Sequence, residues 1–316
     1  MKNFRRLAIA STVATFILVT IGGVVRSTKS GLGCGTDWPD CSGQLIPSLH
    51  NRAVAIEYSH RLAASVVLVL LGALAVMAFR HFRRFPQILW ASVGAFVLVV
   101  GQALLGALVV VLELEAVSVV LHLGTAMALI GVLVYVVIAS APPSGGRHPL
   151  RDRSISRAAG LAAAAVWALL LSGSYVTGSD AGYVFPDWPL MNGALIPDLG
   201  NELYAIHFAH RALAALVGVG VGLVTWRVIR RKGDMPGAGR LAHAVAGGFA
   251  VEVLIGAANI WTQLNAAVVT AHLLSGALIW AGLVGIAVEA HPNLARATAE
   301  REPSRSGHPS YEPEAV

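Results

Sequence analysis

The sequence predicts an all-α membrane protein with eight transmembrane helices arranged as two tandem parallel four-helix bundles. Three observations lead there. Apolar residues make up 56% of the chain and charged residues only 13%, far from the balance of soluble domains. The apolar residues fall in runs close to the roughly 20 residues that cross a bilayer as a helix. The chain also repeats itself, since His60 and His210 lie 150 positions apart and so do His122 and His272. Asp37-Trp38-Pro39 recurs as Asp187-Trp188-Pro189, Leu45-Ile46-Pro47 as Leu195-Ile196-Pro197, His60-Arg61 as His210-Arg211, and Gly106 as Gly256. Agreement at one offset, without a gap, through loops and helices alike means two copies of a unit of roughly 140 residues.

The first span, Leu7–Val25, follows Lys2, Arg5 and Arg6. It is too long for a signal-peptide core and seven spans come after it, so it reads as an uncleaved helix. The second, Glu57–Phe79, ends on the basic cluster Arg80-His81-Phe82-Arg83-Arg84. The third and fourth, Ile88–Leu112 and Val117–Ser140, are joined by a very short connection. The fifth, Ala158–Val176, follows Arg147, Arg151, Arg153 and Arg157, and the sixth, Leu203–Trp226, runs into Arg227–Lys232. The seventh and eighth, Leu241–Trp261 and Ala266–Glu289, again have a short connection. Basic residues therefore gather on alternate segments, whereas Val176–Glu202 has no Lys or Arg but carries Asp180, Asp187, Asp198 and Glu202. The positive-inside rule then places both termini in the cytoplasm of a cell-membrane protein. The formal charge of +6 follows from this topology and implies no nucleic-acid partner, only lipid. Four spans per copy is an even number, so both copies insert the same way, as a parallel repeat. The expected units are residues 1–140, a cytoplasmic Pro/Gly/Arg linker at 141–157, residues 158–290, and a disordered cytoplasmic tail at 291–316 rich in Pro, Glu, Ser and Arg. Each copy has one long external loop, Arg26–Ile56 and Thr177–Glu202, of a length that usually serves function.

Four histidines carry the chemistry. On this topology His60, His122, His210 and His272 all lie a few residues inside their helices, at matched depth near the outer face. Imidazole is a good axial ligand for haem iron, and bundle cofactors are held by side chains of facing helices. Two histidines per copy, with no Cys, Asp or Glu at a suitable offset, make a poor zinc or copper site. They suit a flat macrocycle held from both faces. His207 stands one turn from His210 and competes with it as a ligand, but His210 is the repeat equivalent of His60. Glu57 shares the His60 face and is replaced by His207 in the second copy. It reads either as a group for proton or nucleophile chemistry or as an i,i+4 partner of Arg61. Arg61 and Arg211 lie just inside their spans, where a charge is costly. They read either as partners of haem propionates or a bound ligand, or as side chains snorkelling to the interface. Cys34 and Cys41, the only cysteines, both fall in the first external loop and read as a disulfide, static or redox-active. Val184 and Met191 stand at the equivalent places, so the first copy is the specialised one.

These residues bring a family into view. Over nearly all of residues 1–290 the chain resembles the haem A synthases of aerobic respiration. The likeness is carried by Gly-Leu-Gly-Cys34, Asp37-Trp38-Pro39-Asp40-Cys41, Glu57-Tyr58-Ser59-His60-Arg61, His122, Asp187-Trp188-Pro189, His210-Arg211 and His272. The resemblance implies oxidation of the C8 methyl of haem O to a formyl group, giving the haem A of terminal oxidases. It implies a catalytic haem site at His60 and His122, a b-type haem held by His210 and His272, an essential glutamate at Glu57, and the cysteine pair Cys34 and Cys41. Haem O is then the substrate and haem A the product. An electron donor or acceptor, haem O synthase and terminal oxidase assembly factors are the implied partners. Some members carry a further cysteine pair in the second external loop, which this chain lacks. The sequence shows no dinucleotide fingerprint, so no built-in nicotinamide partner is implied. A duplicated bis-histidine cytochrome b that only carries electrons is the competing reading, and a haem transporter is a third. Glu57 against His207 favours the enzyme.

Overall fold

The computed structural model describes residues 2–141, 152–292 and 294. Eight helices are long and apolar enough to cross a membrane: α1 (Lys2–Ser27), α2 (Arg52–His81), α3 (Pro86–Val111), α4 (Ala116–Ala139), α5 (Arg153–Gly178), α6 (Glu202–Arg230), α7 (Pro236–Trp261) and α8 (Ala266–Glu289). Among the described residues the only strand-like pairings are two isolated bridges, Cys41 with Gln44 and Met191 with Ala194. Most of the 141–157 linker and nearly all of the 291–316 tail lie outside the described residues.

Helices α2, α3, α5, α6 and α7 start before the expected apolar spans because caps, not hydropathy, set those ends. Helix α8 coincides with its span, and α3 and α4 end one residue short. Asn51 and Asn201 open α2 and α6 by accepting from the Ala53 and Leu203 amides at 2.9 Å. Asp152 opens α5 five residues before the apolar run does, accepting from the Ser154 and Ile155 amides. Pro86 and Pro236 stand at the first turns of α3 and α7, where a missing N–H costs nothing.

Packing follows the repeat. Within α1–α4 and within α5–α8 each helix packs on its chain neighbour, and the first packs on the fourth. Phe4, Leu71, Leu74 and Leu133 fill one interior. Met127 and Ile130 of α4 join Val221, Leu283 and Ile286 in the other. The two sets of four meet through α1, α4, α5 and α8. Arg26 donates to the Thr177 carbonyl at 3.0 Å, and the Trp167 indole donates to the Gly124 carbonyl at 3.1 Å across this seam. The outward faces are apolar: Val69, Leu161 and Leu216 are 70%, 74% and 71% exposed. A surface of that kind needs lipid, not water, against it.

The repeat has one step that a single offset misses. Helices α2–α4 and α6–α8 begin at residues related by 150, but α1 and α5 begin at Lys2 and Arg153, related by 151. Lys29 and Asp180, both at positive φ, and Gly31 and Gly182, both against a leucine, share that larger offset. The first loop therefore carries one extra residue between Gly31 and Asp37, and the copies do not align without a gap.

Candidate functional site

Each of the four histidine rings lies against a glycine of the preceding helix. A Cβ on Gly22 would stand 3.1 Å from His60 Cε1, and one on Gly106 would stand 3.2 Å from His122 Cε1. In the second half Gly173 meets His210 at 3.1 Å and Gly256 meets His272 at 3.3 Å. Any side chain there would press on the ring, so the glycines are seats for the imidazoles. The constant offset pairs Gly106 with Gly256, but Gly22 and Gly173 are related by 151 and emerge as equivalents only in three dimensions.

The surroundings of the rings differ between halves. His210 Nδ1 lies 2.8 Å from the Ser172 hydroxyl, which donates to the Leu169 carbonyl at 2.8 Å. The hydroxyl proton is thus committed, so the ring nitrogen donates and Nε2 is left bare. His272 Nδ1 lies 3.0 Å from Glu252 Oε1 on α7. In the first half Ile21 replaces Ser172, and His60 Nδ1 is buried without a hydrogen-bond partner. Gln102 replaces Glu252 and turns away from the ring, donating to the His122 carbonyl at 2.6 Å and accepting from the Thr125 hydroxyl at 2.5 Å. His122 Nδ1 is buried without a partner. These orphaned or singly held imidazoles in glycine-lined seats fit a haem, whose iron would take an imidazole nitrogen in each half.

Above the histidines the long loops are tied down by the arginines. Arg61 donates to the Asp37 carbonyl at 2.9 Å, to the Asp40 carbonyl at 2.5 Å, and to Glu57 Oε1 at 2.5 Å. Glu57, 4% exposed, takes the Cys34 amide on its other oxygen at 2.8 Å. Cys34 and Cys41 are joined as a disulfide, both buried. Arg211 repeats this role, reaching the Leu190 carbonyl at 3.0 Å and the Asp187 carbonyl at 3.3 Å. Its third contact is with His207 Nε2 at 3.0 Å, and His207 Nδ1 donates to the Ala181 carbonyl at 2.8 Å. Both nitrogens of His207 are engaged. Phe185, fully buried, packs 5.4 Å from the His207 ring. Trp38-Pro39 and Trp188-Pro189 are cis in matching turns. In the second turn Asp187 takes the Asn192 and Gly193 amides at 2.7 and 2.8 Å. Those amides, the Gly193 one above all, hold its carboxyl below its ordinary range.

The structure thus gathers Glu57, Arg61 and the Cys34–Cys41 bridge into one cluster beneath the first loop, with His60 one turn along α2. The arginines are spent on loop carbonyls. Sequence reasoning passed over Ser172, Glu252 and the glycine seats of α1 and α5. A carboxylate alone inside the apolar α7 is itself a signal, and its repeat partner Gln102 sharpens it.

The sequence model for a family described as cytochrome oxidase assembly protein (COX15-CtaA) matches residues 5–284. A heme A synthase of Symbiobacterium thermophilum is 30% identical over 278 residues, covering 84% of this chain and 90% of its own. One from Alkalihalophilus pseudofirmus is 30% identical over 220 residues, 68% and 73% of the two chains. One from Shouchella clausii is 28% identical over 221 residues, 69% and 73%.

Proposed function

The chain belongs to the cytochrome oxidase assembly protein family, and on that premise we propose that it is a multi-pass membrane oxidoreductase that converts haem O to haem A for terminal oxidases. Its helices present apolar faces suited to an apolar substrate, and at the loop end of each set stands a polar cluster, Glu57 with Arg61 in the first and His207 with Arg211 in the second.

The finer assignments extend this reading. His60 and His122 would hold the substrate haem O in the first half through its iron, and His210 and His272 would hold a haem b in the second. A haem iron, when bound, supplies one-electron chemistry. The chain's own residues do the rest. The glycine seats set the imidazole planes. Arg61 and Arg211 pin the loops over the sites and keep water from the reacting end. Glu57, held by Arg61 and the Cys34 amide, either takes a proton at the substrate methyl or stabilises positive charge developing there. An electron donor or acceptor serves the second half, haem O synthase and terminal oxidase assembly factors are its neighbours in the cell membrane, and both termini face the cytoplasm.

The observation that carries the reading is the asymmetry at one repeat position: a buried carboxylate, Glu57, where the second half has His207 locked between two partners. Co-expression with a haem O source and mass analysis of the extracted haems tests it. Haem A that depends on the chain is the expected result. Haem O alone, with haem bound to the protein, would leave an electron carrier.

A further inference from the structure

The two halves treat their histidines differently, and the difference has a direction. In the second half both Nδ1 atoms face side-chain partners, Ser172 at 2.8 Å from His210 and Glu252 at 3.0 Å from His272. In the first half neither has one, because Ile21 and Gln102 stand at those places. A Cβ on Gly276 would stand 2.9 Å from Leu170 Cδ2 and 3.2 Å from Glu252 Oε1, so the carboxylate lies in a close-packed place whose first-half counterpart is Ala126. Glu252 Oε2 is buried with no hydrogen-bond partner. A carboxylate at that depth in a span is costly, and among the described residues the His272 ring is the one charged or polar side chain it approaches.

We propose that Ser172 and Glu252 are positioning residues that make the second half the haem-retaining site, and that their absence leaves the first-half histidines suited to a haem that enters and leaves. The physical cause is the outer shell of the ligands. A partner on Nδ1 fixes the tautomer and ring plane, presents Nε2 to the iron and makes the imidazole a stronger base. The Glu252 contact is a 3.0 Å ion-pair approach and not a formed hydrogen bond in this structure. An acceptor of full negative charge also favours ferric over ferrous iron, so the same contact lowers the reduction potential of the haem held there. A resident cofactor needs such anchoring. A substrate that must be released as product needs its lack. The inference rests on the reading of His210 and His272 as haem ligands.

The test uses the full-length protein, purified with haem, and measures the rate of haem transfer to excess apomyoglobin together with the haem midpoint potential. Ser172→Ala with Glu252→Gln is expected to release the second-half haem at least about tenfold faster, as loss of outer-shell partners does elsewhere. Glu252→Gln alone is expected to raise the midpoint by an amount of the order of a tenfold change in the ferric-to-ferrous ratio, 59 mV for one electron. Ser172→Thr, which keeps the hydroxyl, and Glu252→Asp, which keeps the charge, should hold haem more firmly than Ala and Gln. Should the double variant be isolated without haem, those two conservative variants decide. Retention in them supports the proposal, and equal loss in all four means packing alone and overturns it. Unchanged release and unchanged midpoint also overturn it. His272→Ala run alongside separates the two readings, because low-spin haem surviving in that variant refutes the ligand assignment itself, whatever Glu252 does.

Discussion

Replacing Glu57 with Gln keeps the shape and removes the charge, and the structure sets the size of the two effects this has. The cost in stability is small. Arg61 loses a charged acceptor at 2.5 Å but keeps the Asp37 and Asp40 carbonyls, and the Gln oxygen can take one of the two donors Glu57 serves. Hydrogen bonds to charged groups are worth about 1.5–3 kcal/mol, so weakening this pair costs about 1–2 kcal/mol. The second half is an internal control, because neutral His207 serves Arg211 at the same position and the loop is still held. A loss of that size leaves the protein folded, given the usual 5–15 kcal/mol of stability. The catalytic cost is larger. A proton-transfer group contributes about 10²–10⁴-fold, or roughly 3–5 kcal/mol of barrier at 1.36 kcal/mol per decade. Haem A per mole of folded protein should therefore fall at least about 100-fold, read by mass analysis of extracted haems, while the low-spin spectrum of the second-half haem stays normal. Accumulated alcohol places Glu57 in the second oxidation, and haem O alone places it in the first. A normal haem A yield would refute the reasoning and reduce Glu57 to the partner of Arg61.

His210→Ala and His272→Ala should each abolish or turn high-spin the b-type spectrum, checked by absorbance and by membrane insertion of the variant. Gly173→Val should do the same from the opposite side, since its Cβ would already stand 3.1 Å from His210 Cε1; loss of low-spin haem with the chain still inserted is the expected readout. Cys34→Ala with Cys41→Ala opens a loop of sequence separation 7 and should cost about 2–3 kcal/mol by the chain-entropy relation, seen as a lower unfolding midpoint, with much of the haem A yield retained if the bridge is static. Asp187 has its folded value depressed below the ordinary 3.8 by the Gly193 and Asn192 amides, so its support of the loop is fully present above 3.8 and is lost as pH falls from there through the lower folded value. Limited proteolysis of residues 179–201 should accelerate only in that acid window, and Asp187→Asn should remove the pH dependence.

Most of the fold was legible because its signals are long. Apolar runs of bilayer length give the eight helices, and the repeated His-Arg and Asp-Trp-Pro positions give the duplication. What escaped was short. The extra residue between Gly31 and Asp37 sits in a loop where Gly33 and Gly35 blur any alignment, and it hid the match of Gly22 to Gly173. The arginines read either as partners of haem propionates or a bound ligand or as snorkelling side chains. Their contacts with the loop carbonyls at Asp37, Asp40, Asp187 and Leu190 appear only in the folded turn, because those partners lie more than twenty positions away in the chain. Glu252 was readable as a charge in an apolar helix, but its partner stands on α8, and no local pattern joins the two.

A duplicated bundle starts with two equivalent sites, so any difference between the halves has to be carried by particular side chains. Here the differences run in opposite senses at two depths. Near the loops the first half has the carboxylate, Glu57, and the second has a neutral ring held on both sides, His207. Beside the deeper ligands the second half has the carboxylate, Glu252, and the first has Gln102 turned to the backbone. A charge beneath the loop stands where a substrate edge can meet it. On the proposed ligand assignment, a charge behind His272 would act on the iron through the ring. On the proposed reading, the same backbone with its carboxylates moved between these positions would separate a site that reacts from a site that holds its haem.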